Sequence, residues 1–149
     1  MHRRVTASLW VTSALLVLAA GSSAAQDRRY FAPARDTAAL PFSGAVLVGN
    51  TLYLSGTIGL LPGRKVPGTP TEEARLVLDN VRKALADAGM TMDDLVSVQV
   101  FCSDLTTYAE FNDVYRTYFT KEFPPRAFLG VAHILFGARF EVQGIAVKR

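Results

Sequence analysis

The sequence predicts an α+β domain in which a mixed sheet carries two helices on one of its faces. Three observations predict it. Runs with β character and stretches with helical periodicity follow one another as ββαβαββ, alternating only in part. The first two β runs flank Gly49-Asn50, a two-residue turn that folds them into an antiparallel hairpin. Both helical stretches carry one apolar stripe, so each has a single face to bury. With 149 residues, the chain has the length of one domain.

The hairpin strands are Ala45-Val46-Leu47-Val48 and Thr51-Leu52-Tyr53-Leu54-Ser55. A loop follows over 59–70, where three glycines and three prolines break any regular pattern. Thr71, with Glu72 and Glu73 behind it, reads as the cap of the first helix. Ala74, Val77, Leu78, Val81, Leu85 and Ala88 recur at three and four to make its buried face, and Gly89 ends it. Residues 95–101 alternate, with Val96, Val98 and Val100 facing the helices and Ser97 and Gln99 facing away. The second helix covers 107–119, with Tyr108, Phe111, Val114, Tyr115 and Tyr118 as its stripe, and Pro124-Pro125 stops it. Two last strands cover 127–134 and 139–147. Helices on one face leave the other face of a small sheet to be buried, so a self-associating surface is expected.

The first 25 residues do not belong to this domain. Arg3 and Arg4 form a positive start, 9–20 is apolar, and Ser23-x-Ala25 resembles a signal-peptidase site before Gln26. The alternative is an uncleaved anchor, but the apolar part falls short of the ~20 residues a membrane span prefers. The expected product is exported, periplasmic or secreted, and free of the membrane after cleavage. Residues 26–40 read as an irregular polar leader and 41–149 as the domain.

The whole chain has 16 Lys and Arg against 13 Asp and Glu. Loss of Arg3 and Arg4 with the signal leaves 14 against 13, and no acid leaves with them. A nearly neutral domain without a basic run gives no footprint for nucleic acid. Cys102 is the only cysteine, so no disulfide closes within the chain. Of the two histidines, His2 leaves with the signal and His133 stays, too few Cys and His for a structural zinc site. No Gly-x-Ser-x-Gly elbow accompanies His133, which argues against a serine hydrolase.

Two residues stand out for chemistry. Arg126 follows Phe123-Pro124-Pro125 and opens a strand, and Glu141 interrupts the apolar run of the last strand. Carboxylates are depleted in strands and rarely buried without a partner. On residue type alone, the plain alternative is a solvent-facing Glu141 and an Arg126 at the sheet rim.

A longer pattern gathers these residues. Leu40-Pro41-Phe42-Ser43, the run Val48 to Gly56, Leu78-Asp79-Asn80-Val81, Val100-Phe101 with Asp104-Leu105, Phe123-Pro124-Pro125-Arg126 and Glu141-Val142-Gln143-Gly144-Ile145-Ala146 occur in this order. The series resembles the Rid family of reactive-imine deaminases over about residues 35–149. The resemblance implies a chorismate-mutase-like fold and a homotrimer with ligand clefts between subunits. It implies hydrolysis of 2-imino or enamine acids to 2-keto acids and ammonia without a cofactor. It makes Arg126 the carboxylate-binding residue and Glu141 the group that activates water. It adds Ser55, Gly56 and Asn112 to the cleft. The chain departs from the family at Phe42, where tyrosine is usual, at Phe128, where cysteine is often found, and at Thr57, where glutamine is usual. Phe128 shares a strand face with Arg126, which implies a tighter, more apolar pocket. A second reading therefore stands beside the deaminase: a non-catalytic exported trimer that binds a small carboxylate or a protein partner.

Overall fold

The computed structural model describes residues 27–33 and 40–149, and the signal segment expected over 1–25 lies outside them. Six strands form one sheet: β1 (Arg28–Phe31), β2 (Ala45–Val48), β3 (Thr51–Ile58), β4 (Leu95–Cys102), β5 (Arg126–Gly130) and β6 (Phe140–Val147). Their order is β1-β2-β3-β6-β4-β5. Every neighbouring pair is antiparallel except β4 and β5, which run parallel and are joined through α2 (Tyr108–Tyr115). The other helix, α1 (Pro70–Asp87), packs on β3, β6 and α2. The mixed sheet with both helices on one face is therefore as expected.

The core lies between the sheet and the helices. Leu52, Leu54, Val98, Val100, Phe140 and Val142 point into it from the strands. Val77, Leu78, Val81 and Leu85 meet them from α1, and Phe111 and Val114 from α2. Phe111 and Phe140 are both fully buried with ring centres 4.9 Å apart, which ties α2 to β6. Each such side chain contributes about 1.5–3 kcal/mol relative to an exposed one.

Five local expectations need correction. The leader is not irregular throughout. Arg28–Phe31 forms β1 because the outer edge of β2 offers it unpaired backbone groups, and the side chains follow in register from Arg28↔Val48 to Phe31↔Ala45. The cap of α1 is Thr69 rather than Thr71: its hydroxyl accepts from the Glu72 amide, the Glu72 carboxylate accepts from the Thr69 amide, and Pro70 occupies the first helical position. Val96 does not face the helices. The register between β4 and β6 slips between Leu95 and Ser97, so this bulge turns Leu95 inward and leaves Val96 45 % exposed. The second helix is shorter than 107–119, being flanked by 3-10 turns at Leu105–Thr107 and Arg116–Tyr118. The strand expected over 127–134 ends at Gly130, and the last one begins at Phe140.

Among the described residues, none covers the face turned away from the helices. Tyr53, Ile145, Phe101, Leu129 and Glu141 lie on it by register. Tyr53 is 50 % and Leu129 41 % exposed.

Candidate active site

The first group of polar side chains sits where β5 meets α2. Phe123-Pro124-Pro125 ends the helical path, and the Pro125 carbonyl accepts from the Val98 amide, which starts β5 alongside β4. Arg126 and Phe128 pair with Val98 and Val100 and so face the helices. The Arg126 Nη2 donates to Asn112 Oδ1 over 2.7 Å. Its guanidinium lies 4.5 Å from the ring centre of Tyr115, 5.5 Å from that of Phe128 and 5.9 Å from that of Phe111. Three aromatic faces and one amide thus hold a single cation. Phe128 sits beside Arg126, and it also leans edge-on against Tyr108 at 4.9 Å and Phe111 at 5.4 Å. It acts as a wall that supports the guanidinium as well as one that narrows the space in front of it.

Two polar atoms here are buried without a hydrogen-bond partner: Arg126 Nη1 and the Tyr115 hydroxyl. Buried donors are nearly always satisfied, so an orphan pair in one place calls for a further partner. Burial pushes the Tyr115 phenol up to about 12, which keeps it protonated as a donor. Tyr108 behaves oppositely. A hydrogen bond with Asn112, helped by the charge of Arg126, holds its phenol below the ordinary tyrosine value.

The second group sits on β3 and β6. The register between these strands slips between Leu54 and Thr57, so Ser55 and Gly56 together oppose Gln143 in a β-bulge. The Glu141 side chain folds over Gly56: a Cβ added at Gly56 would meet Glu141 Oε1 head-on and lie 2.9 Å from its Cδ. Glycine is required there for space. Glu141 is half-buried, and desolvation raises its pKa above the usual carboxylate value. The Ser55 hydroxyl donates to the Gly44 carbonyl over 2.9 Å, so only its lone pairs face outward. Phe42, Ser55, Gly56 and Thr57 line a small cleft beside α1 together with Asn80, whose amide donates to the Ile58 carbonyl.

The expected site residues therefore fall into two separate walls within one chain. Phe42, Ser55, Gly56 and Glu141 form one. Arg126, Asn112 and Phe128 form the other. Glu141 pairs with Phe101 on the uncovered face, while Arg126 pairs with Val98 on the helix face. With β4 between their strands and three residues of offset along it, they stand about 10 Å apart across the strands and about 10 Å along them, on opposite sides of the sheet.

Sequence reasoning missed the residue that anchors the wall carrying Glu141. Glu73, read as part of a helix cap, is fully buried. Its Oε1 accepts from the amides of Arg139 at 2.5 Å and Phe140 at 3.1 Å, and its Oε2 pairs with Arg139 Nη1 at 2.8 Å. This clamp fixes the entry of β6 immediately before Glu141. A signal was available, because Glu73 stands four residues before Val77 and so falls within the apolar stripe of α1. Tyr108 and Tyr115 were read as core stripe alone, and their hydroxyls give them a second property. Among the described residues, no three of His, Cys, Asp and Glu gather as metal ligands.

Residues 33–148 match the family described as Endoribonuclease L-PSP. A goat (Capra hircus) protein named 2-iminobutanoate/2-iminopropanoate deaminase is 40 % identical over 124 residues, which cover 81 % of this chain and 90 % of that one. The crystal structure of RidA from the Antarctic bacterium Psychrobacter superposes with a TM-score of 0.70 at 32 % identity, covering 78 % of this chain and 93 % of that one. The structure of E. coli TdcF with bound serine gives 0.71 at 30 % identity, covering 75 % and 91 %.

Proposed function

Because this chain belongs to the Endoribonuclease L-PSP family, the Rid family that its motifs resemble, we propose that it is a hydrolytic deaminase of reactive 2-imino and enamine acids, yielding 2-keto acids and ammonia. The observation that carries this reading is Arg126: a cation held rigid by an amide and three rings, with one buried N–H still lacking a partner. Such a group suits the carboxylate of a small acid. The ribonuclease in the family's title suits this chain poorly, since its domain is nearly neutral and has no basic stripe for a phosphate backbone.

The chemistry then follows from the two walls. Arg126 holds the carboxylate, which places the adjacent imine carbon close by. Glu141 takes a proton from a water molecule as its oxygen adds to that carbon, the C=N electron pair moves to nitrogen, and Glu141 returns the proton to that nitrogen. The hydroxyl proton of the carbinolamine then passes through Glu141 to the amine as the C–N bond breaks, leaving a C=O bond and ammonia. A carboxylate with a raised pKa is a better base for this than a solvated one. The imine is electrophilic by itself, so the step needs neither a metal nor a protein nucleophile.

Since Arg126 and Glu141 lie on opposite faces of one sheet, a complete site takes Arg126 from one subunit and Glu141 from another. The uncovered face with Tyr53 and Leu129 supports that association, and closure around a threefold axis gives three equal clefts. Light scattering on the purified protein is expected to give three times the mass of its chain. A monomer at micromolar concentration would leave every site without one wall and end this reading.

The domain acts outside the cytoplasm after loss of residues 1–25, which carry the export pattern. Mass measurement of protein recovered from the cell envelope is expected to show a chain starting at Gln26. An intact Met1 in the membrane fraction would overturn export and release. Activity itself is tested by generating several 2-imino acids in situ and following keto-acid release with and without the protein. No acceleration with any of them, despite tight binding of a 2-keto acid, would replace the deaminase with a carboxylate-binding module. Phe42 and Phe128 favour that second reading, because they remove polar groups from the cleft.

A further inference from the structure

Glu141 can act on a water only if its carboxylate keeps its place over Gly56, and α1 bears on both strands that set that place. Glu141 of β6 pairs with Ile58 of β3. The next residue, Gly59, lies so close to α1 that an added Cβ would come within 2.5 Å of the Glu73 carbonyl oxygen and 2.8 Å of the Val77 amide nitrogen. β6 is held at its entry by the Glu73 side chain. Oε1 accepts from the amides of Arg139 and Phe140, the two residues before Glu141, and Oε2 accepts from Arg139 Nη1. On the other side, the Ser103 amide donates to the Arg139 carbonyl and the Ser103 hydroxyl to the Ala138 carbonyl, both over 3.0 Å. One buried carboxylate thus receives three donors from the segment that leads into Glu141.

Packing alone does not call for this carboxylate. Glu73 falls in the apolar stripe of α1 and is fully buried, and an apolar side chain would fill that space without desolvating a charge. What the carboxylate adds is direction, because its oxygens fix two backbone amides and one guanidinium at set places. We infer that Glu73 is a positioning residue for the reaction, holding the start of β6 so that the Glu141 carboxylate meets the water in a productive geometry. It touches no substrate and acts through Glu141. The inference rests on the reading of Glu141 as the base and deepens it. A rival route also leaves Glu73. Phe140 packs against Phe111 at 4.9 Å, and the Phe111 ring centre stands 5.9 Å from the Arg126 guanidinium.

Steady-state keto-acid release and calorimetry with 2-oxobutanoate, a stable 2-keto acid, tell the routes apart. Glu73→Gln keeps the size and one oxygen for the amides but loses the charge that holds Arg139. Misplacement by about 1 Å can cost ~10²-fold, so a partial release is expected to lower kcat by roughly tenfold. KM and the Kd of 2-oxobutanoate are expected to stay at wild-type values, whereas the route through Arg126 would raise both. Added to Glu141→Gln, Glu73→Gln is expected to lower the rate no further, since two residues acting as one unit are not additive. A merely structural loss would cost the same factor in both backgrounds. Arg139→Gln loosens the same carboxylate from its partly exposed partner, so it decides the matter if Glu73→Gln does not fold, and its kcat is expected to fall several-fold. Wild-type kcat in the folded variant, additive losses, or a raised KM with kcat unchanged would each overturn the inference while Glu141 keeps its role. If Glu141→Gln alone turns over like wild type, the reading beneath it falls as well.

Discussion

Glu141→Gln is expected to lower the rate of keto-acid release by about 10²–10⁴-fold, the loss that follows removal of a general acid or base. The amide keeps the shape that folds over Gly56, so the bulge at Ser55 and Gly56 has no reason to move. Binding of a stable 2-keto acid is expected to stay near wild type, because the carboxylate is held on the other wall. The pH profile gives an independent check. Desolvation raises the Glu141 pKa above 4.5. Turnover by the ionised carboxylate must then fall as pH drops through this raised value, giving an acid limb above the usual glutamate range. That limb should be absent from the residual activity of the variant. Stability has the opposite sign. A carboxyl whose folded pKa is raised binds its proton more tightly in the folded state, so its contribution is most favourable below the unfolded pKa and declines as pH rises through the folded one. At neutral pH the neutral amide is therefore expected to match or exceed wild type in thermal midpoint. A variant that loses activity together with its fold, or that keeps wild-type turnover, would remove Glu141 from the chemistry.

Arg126→Ala is expected to abolish measurable binding of a small 2-keto acid and, with it, turnover at ordinary substrate concentrations. Loss of charge-assisted hydrogen bonds worth about 3 kcal/mol raises Kd by roughly two orders of magnitude. Arg126→Lys is expected to restore little. An ammonium lacks the planar group that spans Asn112 and the faces of Tyr115, Phe128 and Phe111. Calorimetry for binding and saturation kinetics for KM check this, and the two should move together, since the contact is made in ground and transition states alike. Lysine rescuing both would mean that charge alone suffices and that the aromatic enclosure has another purpose. The contrast between the two variants is informative: one acts on turnover with binding preserved, the other on binding first.

Much of the fold was legible in the sequence because its signals are local. Gly49-Asn50 between two β runs forms a hairpin wherever it occurs, and the stripe from Ala74 to Ala88 needs a partner surface whatever that surface is. The ordered motifs likewise pointed to Arg126, Glu141, Gly56 and Asn112 by chain position. Features set by pairing were not legible. β1 exists because β2 leaves an edge to pair with. Val96 is exposed because β4 gains one residue against β6, and no alternation within β4 itself reports that slip. Glu73 becomes a buried anchor only when α1 is laid against the entry of β6, bringing together residues 66 and 67 positions apart.

The sequence by itself determined most of the elements, the candidate residues for the chemistry and which family the chain resembles. Periodicity, turns and motifs act over a few residues and survive outside any fold. Only the tertiary structure decided where those residues stand relative to one another. Arg126 and Glu141 are 15 positions apart in the chain. The crossing through β4 nevertheless puts them on opposite faces of the sheet, because facing is set by the register of paired strands and not by distance along the chain. The enclosure of Arg126 by Tyr115, Phe111 and Phe128 has the same origin: α2 and β5 each supply part of it, and packing alone brings the parts together.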